Sequence, residues 1–179
     1  MPDKRPLTDN EGALLTLVLR EQPVTGYQIL KAFESSPVHT FNTSKGKVYP
    51  LIHRLEERGL LAGEPVPGDH RGTQRFYCTE SGKEVLRNWV CTIRPENELL
   101  HDPLRKKVQA FTLLTRDERR SWVRSATEQL SRKLAQVEAW STEIEGPFGD
   151  LVKESARRAL RSRLDWLELV RQRVEGGED

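Results

Sequence analysis

Apolar residues in the first half of the chain recur at helical spacing in four short segments, and capping or chain-breaking residues bound each of them. The capping box at residues 8–11 predicts the start of a first helix, which ends before Pro23. A second box at residues 25–28 begins the next helix, Gly59 ends a third and Thr79 begins a fourth. The third helix is predicted to bury one apolar face, formed by Val48, Leu51, Ile52 and Leu55.

Two short β-prone segments, residues 60–66 and 73–78, lie on either side of a glycine-rich turn between the third and fourth helices. This spacing predicts a β-hairpin. Three helices followed by a hairpin are the element order of a winged helix-turn-helix domain. In such a domain the third helix enters the major groove of DNA, and the hairpin reaches the neighbouring backbone or minor groove.

The second half of the chain has a different pattern, with two long helical segments at residues 115–144 and 149–174 after a short capped helix that begins at residues 102–103. Helices of this length cannot bury their apolar faces on a small domain, so we expect them to pair with a second chain. The predicted fold is mainly α-helical with a small β-hairpin. A winged helix-turn-helix DNA-binding domain at residues 1–93 precedes a helical dimerisation and effector domain at residues 94–179. The predicted dimer contacts are Leu160, Leu164, Leu167 and Val170.

The composition is that of a soluble, helix-rich protein, because 31% of the residues are charged and no apolar run approaches the roughly 20 residues that a membrane span requires. The first residues lead into no apolar signal segment, so a cytoplasmic location and no membrane partner are expected. Cys78 and Cys91 lack metal-binding spacing and the histidines are scattered, so neither a metal nor a cofactor is expected. Both thiols are expected to be reduced and to lie in the core.

The net charge of +2 is too small to indicate a nucleic-acid partner, but the positions of the basic residues are informative. The outward face of the third helix is predicted to carry Lys45, Lys47, Tyr49, His53 and Arg54. Ser44, Lys45 and Lys47 would lie near a phosphate at the helix N-terminus, and the other three side chains are the expected base contacts. Arg71 and Arg75 on the hairpin would reach the adjacent groove or backbone.

A basic helix face is often only a solvated face, and acidic residues dilute this one, namely Glu56, Glu57 and Glu64. The location of the cations on the third helix and the hairpin of a winged fold is what favours DNA binding. The alternative is a winged-helix adaptor that binds protein, which would have apolar residues on the outer face of the third helix. An enzyme is disfavoured because the chain has no glycine-rich phosphate loop, nucleophile elbow or His-Glu metal helix.

Three stretches of the first domain, residues 25–29, 44–61 and 75–82, resemble the PadR family of bacterial transcriptional regulators. The most specific motif residues are Tyr49, Pro50, Arg54, Leu55, Glu56 and Gly59. The chain differs from the family pattern at Lys47, where a small residue is common, and at Cys78, where leucine is common. The close resemblance covers about residues 10–92, and the C-terminal part is similar only in layout.

This resemblance implies a homodimeric repressor that leaves its operator DNA when a small effector binds, often a phenolic acid or another aromatic compound. It adds Thr25, Tyr27 and Pro50 to the candidate DNA contacts, although the apolar pattern also places Tyr27, like Phe76, in the core. The candidate effector contacts are Trp89, His101, Arg105 and Trp122, at or near the cleft expected between the domains. For the tryptophans, which lie on or beside apolar stripes, core packing is the alternative.

Overall fold

The structure, a computed structural model, describes residues 5–38, 45–69, 72–98, 102–142 and 146–177. These residues contain seven α-helices and three short strands. The chain divides into two compact units, Met1–Glu98 and Leu99–Asp179. The domain boundary predicted at residues 93–94 lies near this division. No described helix is both long enough and apolar enough to cross a membrane.

The first unit has the predicted order of three helices, a hairpin and a fourth helix, with one additional strand. Its elements are α1 (Asp9–Glu21), β1 (Val24–Thr25), α2 (Gly26–Ser35), α3 (Lys45–Glu57), β2 (Leu61–Pro65), β3 (Gln74–Cys78), α4 (Glu80–Cys91) and a 3-10 turn at Pro95–Glu98.

Capping hydrogen bonds set the starts of α1 and α2, as the sequence predicts. The side chain of Thr8 accepts from the amide of Glu11, and the Glu11 carboxylate accepts from the Thr8 amide at 2.9 Å. The same reciprocal pair joins Thr25 and Gln28. Each box provides a hydrogen-bond acceptor for two backbone amides that a helix start would otherwise leave without partners.

The predicted hairpin is part of a three-stranded antiparallel sheet with the strand order β1-β3-β2. Leu61 pairs with Cys78 and Pro65 pairs with Gln74 within the hairpin. Val24 in β1 lies opposite Phe76, on the other side of β3. The sequence does not predict β1, because two residues are too few to show a period of two and only their partner strand makes them a strand.

The core of the first unit contains the predicted buried face of α3. Val48, Leu51, Ile52 and Leu55 are each at most 2% exposed. Phe76 is buried as predicted, but the placement of Tyr27 in the core is wrong, since 59% of its surface is exposed. The helix α2 buries Ile29, Leu30 and Phe33 instead, and Tyr27 lies on its other side. Cys78 is buried as expected, whereas Cys91 is exposed and the prediction for it is also wrong.

The second unit contains α5 (Pro103–Val108), a 3-10 turn (Phe111–Leu113), α6 (Arg116–Ala139) and α7 (Gly149–Gly176). The helices α6 and α7 pack antiparallel. Arg116 at the start of α6 donates to the carbonyl of Val174 at 3.2 Å, and Lys153 near the start of α7 donates to the carbonyl of Trp140 at 2.7 Å. The helix α6 ends at Ala139, earlier than the predicted position 144, which lies outside the described residues.

Candidate nucleic-acid interface

Packing of the apolar face of α3 leaves the opposite face of this helix in solvent. The exposed side chains on that face include Lys47, Tyr49, Pro50, His53 and Arg54. The apolar stripe therefore determines which side chains of α3 can meet a partner. Three further predicted contacts are outside the described residues, namely Ser44, Arg71 and the side chain of Lys45.

The acidic residues of α3 reduce the positive charge of its outward face less than the sequence suggests. Glu56 is half-buried on the side of α3 nearest β2, and burial raises its pKa although the charge of nearby His53 opposes the shift. Glu57 is exposed, with its carboxylate 3.4 Å from Nε2 of His53. Within the described part of the chain, no ion pair joins Lys47 or Arg54 to an acid. These two cations are thus available to a phosphate or a base edge.

The start of α2 contacts α3 through a glycine. A Cβ atom on Gly26 would lie 2.7 Å from Cε1 of Tyr49, which is closer than packed atoms approach. The ring of Tyr49 is 44% exposed, so one part of it packs on α2 and the rest faces solvent. Gly26 of the Gly-Tyr pair and Tyr49 of the Tyr-Pro pair are therefore in contact, and the missing side chain of Gly26 makes room for the Tyr49 ring.

Sheet pairing places two predicted contacts from distant parts of the chain side by side. Arg75 in β3 lies opposite Thr25 in β1 on one side and opposite Glu64 in β2 on the other. Arg75 is exposed, and the Thr25 hydroxyl donates to Oε1 of Gln28 at 2.9 Å. Thr25 thus serves as a helix cap, and Arg75 is an exposed cation on the central strand of the sheet.

Sequence reasoning missed one cation on α2. Lys31 is exposed, and its Nζ lies 5.8 Å from the ring centroid of Tyr27 and 2.7 Å from a carboxylate oxygen of Glu34. The hydrogen bond to Glu34 raises the pKa of Lys31. The spacing of four residues between Tyr27 and Lys31 was the available signal, because it places both on the same helix face.

The candidate effector contacts are distributed over the two units. Trp89 in α4 is half-buried against the core of the first unit. Trp122 in α6 meets Phe111 edge-to-face, with ring centroids 5.0 Å apart. Arg105 is exposed on α5, and His101 lies outside the described residues. Both tryptophans therefore pack within their own unit.

Each unit also has a surface cavity of a size that suits a small molecule. The one in the first unit has a volume of about 630 Å³, and its lining includes Leu7, Asp9, Trp89, Ile93, Arg94 and Glu96. One cavity of the second unit has a volume of about 450 Å³, and its lining includes Phe111, Thr112, Arg119, Trp166, Leu169 and Arg173. The sequence did not reveal the second cavity, since its walls come from three separated segments.

The predicted dimer contacts differ in how much surface they leave for a partner. Leu160 and Leu167 are 8% and 0% exposed, because they pack within the α6–α7 pair of a single chain. Leu164 and Val170 are half-buried. The exposed large apolar residues of the α7 region are Phe148, Leu151, Val152 and Leu169.

A helical unit with an exposed basic third helix and a β-hairpin wing, formed by β2 and β3, is a winged helix-turn-helix domain of the DNA-binding class. Residues 14–88 match the model of the transcriptional regulator PadR-like family. The chain is 21% identical over 146 residues to the negative transcriptional regulator PadR of Bacillus subtilis, covering 81% of this chain and 76% of that protein. Residues 14–88 therefore form a PadR-like domain, and most of the chain is similar to transcriptional regulators of that family.

Solved structures of the family have the same fold. The crystal structure of Bacillus subtilis PadR in complex with operator DNA superposes with a TM-score of 0.74 at 22% identity, covering 93% of this chain and 99% of that one. The structure of the same protein in complex with p-coumaric acid gives 0.73 at 21% identity, covering 92% and 98%. A PadR-like regulator from Bacillus cereus gives 0.73 at 17% identity, covering 95% and 98%.

Proposed function

We propose that the protein is a homodimeric repressor that binds operator DNA through α3 and the wing and releases it when a small aromatic acid binds. The observation that carries the DNA-binding part is the outward face of α3, where Lys47 and Arg54 are exposed beside Tyr49. A protein-binding adaptor would need an apolar face at this position. The complex of the Bacillus subtilis relative with operator DNA supports the same role for this chain.

The side chains of this surface have different roles in the proposal. Lys47 contacts a phosphate and supplies affinity without sequence information, whereas Tyr49, His53 and Arg54 reach base edges. Arg75 contacts the backbone or minor groove next to the wing. Replacement of Lys47 therefore weakens binding to every sequence, and replacement of Arg54 changes the preference between sequences.

The test is fluorescence anisotropy of the protein on the duplex upstream of its own gene and on an unrelated duplex, over a series of salt concentrations. The expected result is tighter binding to the upstream duplex with a steep salt dependence. Lys47→Ala lowers the slope of log affinity against log salt by about 1, and Arg87→Ala on α4 is the control for loss of one charge. Equal binding of wild type to both duplexes would contradict a sequence-specific regulator and favour the adaptor.

The dimer is proposed to form through the exposed apolar side of α7. Phe148, Leu151 and Val152 lie at its start and Leu169 near its end, on one side of the helix by their spacing. Between them this side carries small exposed residues, namely Ser155, Ala159 and Ser162. A second helix can approach such a surface closely and bury the apolar residues at both ends.

The effector is proposed to bind in the cavity of the second unit that Phe111 and Trp166 line. Aromatic walls from Phe111 and Trp166 suit a phenyl ring, and the guanidinium groups of Arg119 and Arg173 suit a carboxylate. No acidic residue is among the described residues that line it. The cavity of the first unit instead includes Asp9 and Glu96, which disfavour an anion. The p-coumaric acid complex of the relative supports this ligand class.

The effector proposal is tested by titrating p-coumaric acid into the complex of the protein with its upstream duplex. The expected result is release of DNA by the wild type and a weaker response of Trp166→Leu. Trp89→Leu, in the other cavity, is the matched control and keeps the wild-type response. Release that depends on Trp89 and not on Trp166 would move the site to the first unit.

A further inference from the structure

Glu11 is a buried acid whose role goes beyond capping α1. Only 1% of its surface is exposed. Besides the amide and hydroxyl of Thr8, its carboxylate meets the guanidinium of Arg5 at 2.9 Å and Nη1 of Arg58 at 3.3 Å. A capping box needs only the contacts with Thr8. The two arginines therefore add a second function to this carboxylate.

Arg58 is the residue that follows the last turn of α3. Its side chain is 6% exposed, and its Nη2 donates to the main-chain carbonyl of Arg5, in the segment before α1. Its backbone amide donates to the carbonyl of Arg54 at 3.1 Å. A single backbone hydrogen bond thus links Arg54, a candidate base contact, to Arg58, whose charge is buried against α1.

The apolar face of α3 and the Glu11–Arg58 pair constrain this helix in different ways. Apolar packing holds the buried face of α3 against the core, but the attraction itself is non-directional. The hydrogen bond from Arg58 Nη2 to the carbonyl of Arg5 is directional, and a movement of α3 that separated the buried charges of Arg58 and Glu11 would be costly. These two contacts of Arg58 therefore limit how far α3 can rotate relative to the start of α1.

We infer that Glu11 and Arg58 are positioning residues for DNA recognition, because their buried ion pair sets the rotation of α3 relative to α1. Neither side chain reaches solvent, so neither contacts DNA directly. They act through Arg54 and its neighbours on the outer face. This inference rests on the proposed function, in that α3 is the helix that reads the operator.

Removal of Arg58 is the informative change, because it leaves Glu11 paired with Arg5 and Thr8. Removal of Glu11 would instead leave the charge of Arg58 buried without a carboxylate. The test variant is Arg58→Met, which keeps an unbranched apolar side chain and removes the guanidinium group with its charge. Arg58→Lys restores the charge with a single donor group. Arg20→Met on α1 is the control for loss of one arginine elsewhere in the unit.

The experiment measures full-length variants on the upstream and unrelated duplexes under conditions where melting curves show each variant to be folded. Arg58→Met is expected to bind the upstream duplex about tenfold more weakly, to bind unrelated DNA as the wild type does, and to keep its salt slope. Arg58→Lys regains part of the affinity, and Arg20→Met matches the wild type. An unchanged slope distinguishes a positioning residue from a phosphate contact.

Hydrogen exchange without DNA separates this inference from the proposed function. Faster exchange of the α3 amides in Arg58→Met, relative to α2 and α4 in the same variant, supports the positioning role. Wild-type exchange in α3, or wild-type affinity of the folded variant for the upstream duplex, overturns it. If the wild type itself shows no preference for the upstream duplex, the proposed function is contradicted and the exchange result alone decides the positioning role.

Discussion

The indole ring of Trp89 packs directly on Gly12, so that α4 and α1 touch where α1 has no side chain. A Cβ atom on Gly12 would lie 2.6 Å from Cε2 and 2.7 Å from Cζ2 of this ring. The contact explains why the first turn of α1 contains a glycine, which is otherwise unfavourable within a helix. It also shows that Trp89 joins two helices of the first unit.

Gly12→Ala is expected to destabilise the protein by about 1–2 kcal/mol, because the ring of Trp89 must move and this overpacking outweighs the higher helix propensity of alanine. Urea unfolding measures the change. Gly176→Ala is the control, since a Cβ atom there meets nothing within 4 Å. A Gly12→Ala protein as stable as the wild type would show that Trp89 can move without cost.

Gly26→Ala is expected to weaken binding to the upstream duplex about tenfold, with little change in melting temperature. The added methyl group pushes the ring of Tyr49 away from α2, and the half-exposed ring can turn toward solvent without opening the core. Anisotropy with Gly26→Ala, Tyr49→Ala and the double variant checks this prediction. Because both changes act through one contact, the double variant should bind no worse than Tyr49→Ala alone.

The acid stability of the first unit is expected to depend on Glu11. Burial raises the pKa of this carboxyl, but the hydrogen bonds from Thr8 and the charges of Arg5 and Arg58 outweigh it and lower the pKa below its ordinary value of 4.5. Because the pKa is lower in the folded state than in the unfolded chain, the carboxylate contributes its full stabilisation at pH values above its ordinary pKa of 4.5. This stabilisation is lost as the pH falls through the folded-state pKa.

Glu11→Gln should therefore have a lower free energy of unfolding at neutral pH and a smaller loss of that free energy between about pH 5 and pH 3. Urea titrations at several pH values measure both quantities. Glu84→Gln, at an exposed position of α4, serves as the control. A variant with the same pH dependence as the wild type would contradict the ionised state of Glu11.

Leu151→Lys is expected to weaken the dimer without unfolding the chain. Leu151 is 61% exposed in one chain, and burial of such a side chain by a partner contributes about 1.5–3 kcal/mol, or roughly a tenfold to hundredfold change in the dissociation constant. Sedimentation equilibrium measures the dissociation constant, and circular dichroism monitors helix content. Leu160→Ala should instead reduce helix stability, since Leu160 packs against its own chain. A fully dimeric Leu151→Lys protein would place the interface elsewhere.

Local chemistry allowed most of the fold to be predicted from the sequence. Thr8, Thr25 and Thr115 cap their helices through bonds to residues three positions later, so a short stretch of chain contains the whole signal. The buried stripe of α3 and the left-handed Gly59 that follows it depend on spacing and on one residue type. The outward face of α3, and with it the exposure of Lys47 and Arg54, follows from that stripe.

Only the tertiary structure determined which surfaces meet. Periodicity placed Leu160 and Leu167 on the apolar face of their helix. It could not show whether the same chain or a second chain covers that face. The burial of Glu11 and Arg58 gave no signal either, because they are 47 positions apart and each resembles an ordinary surface charge in the sequence. Helix starts and apolar faces are properties of nearby residues, whereas contacts between distant segments depend on how whole elements pack, and no single segment contains that information.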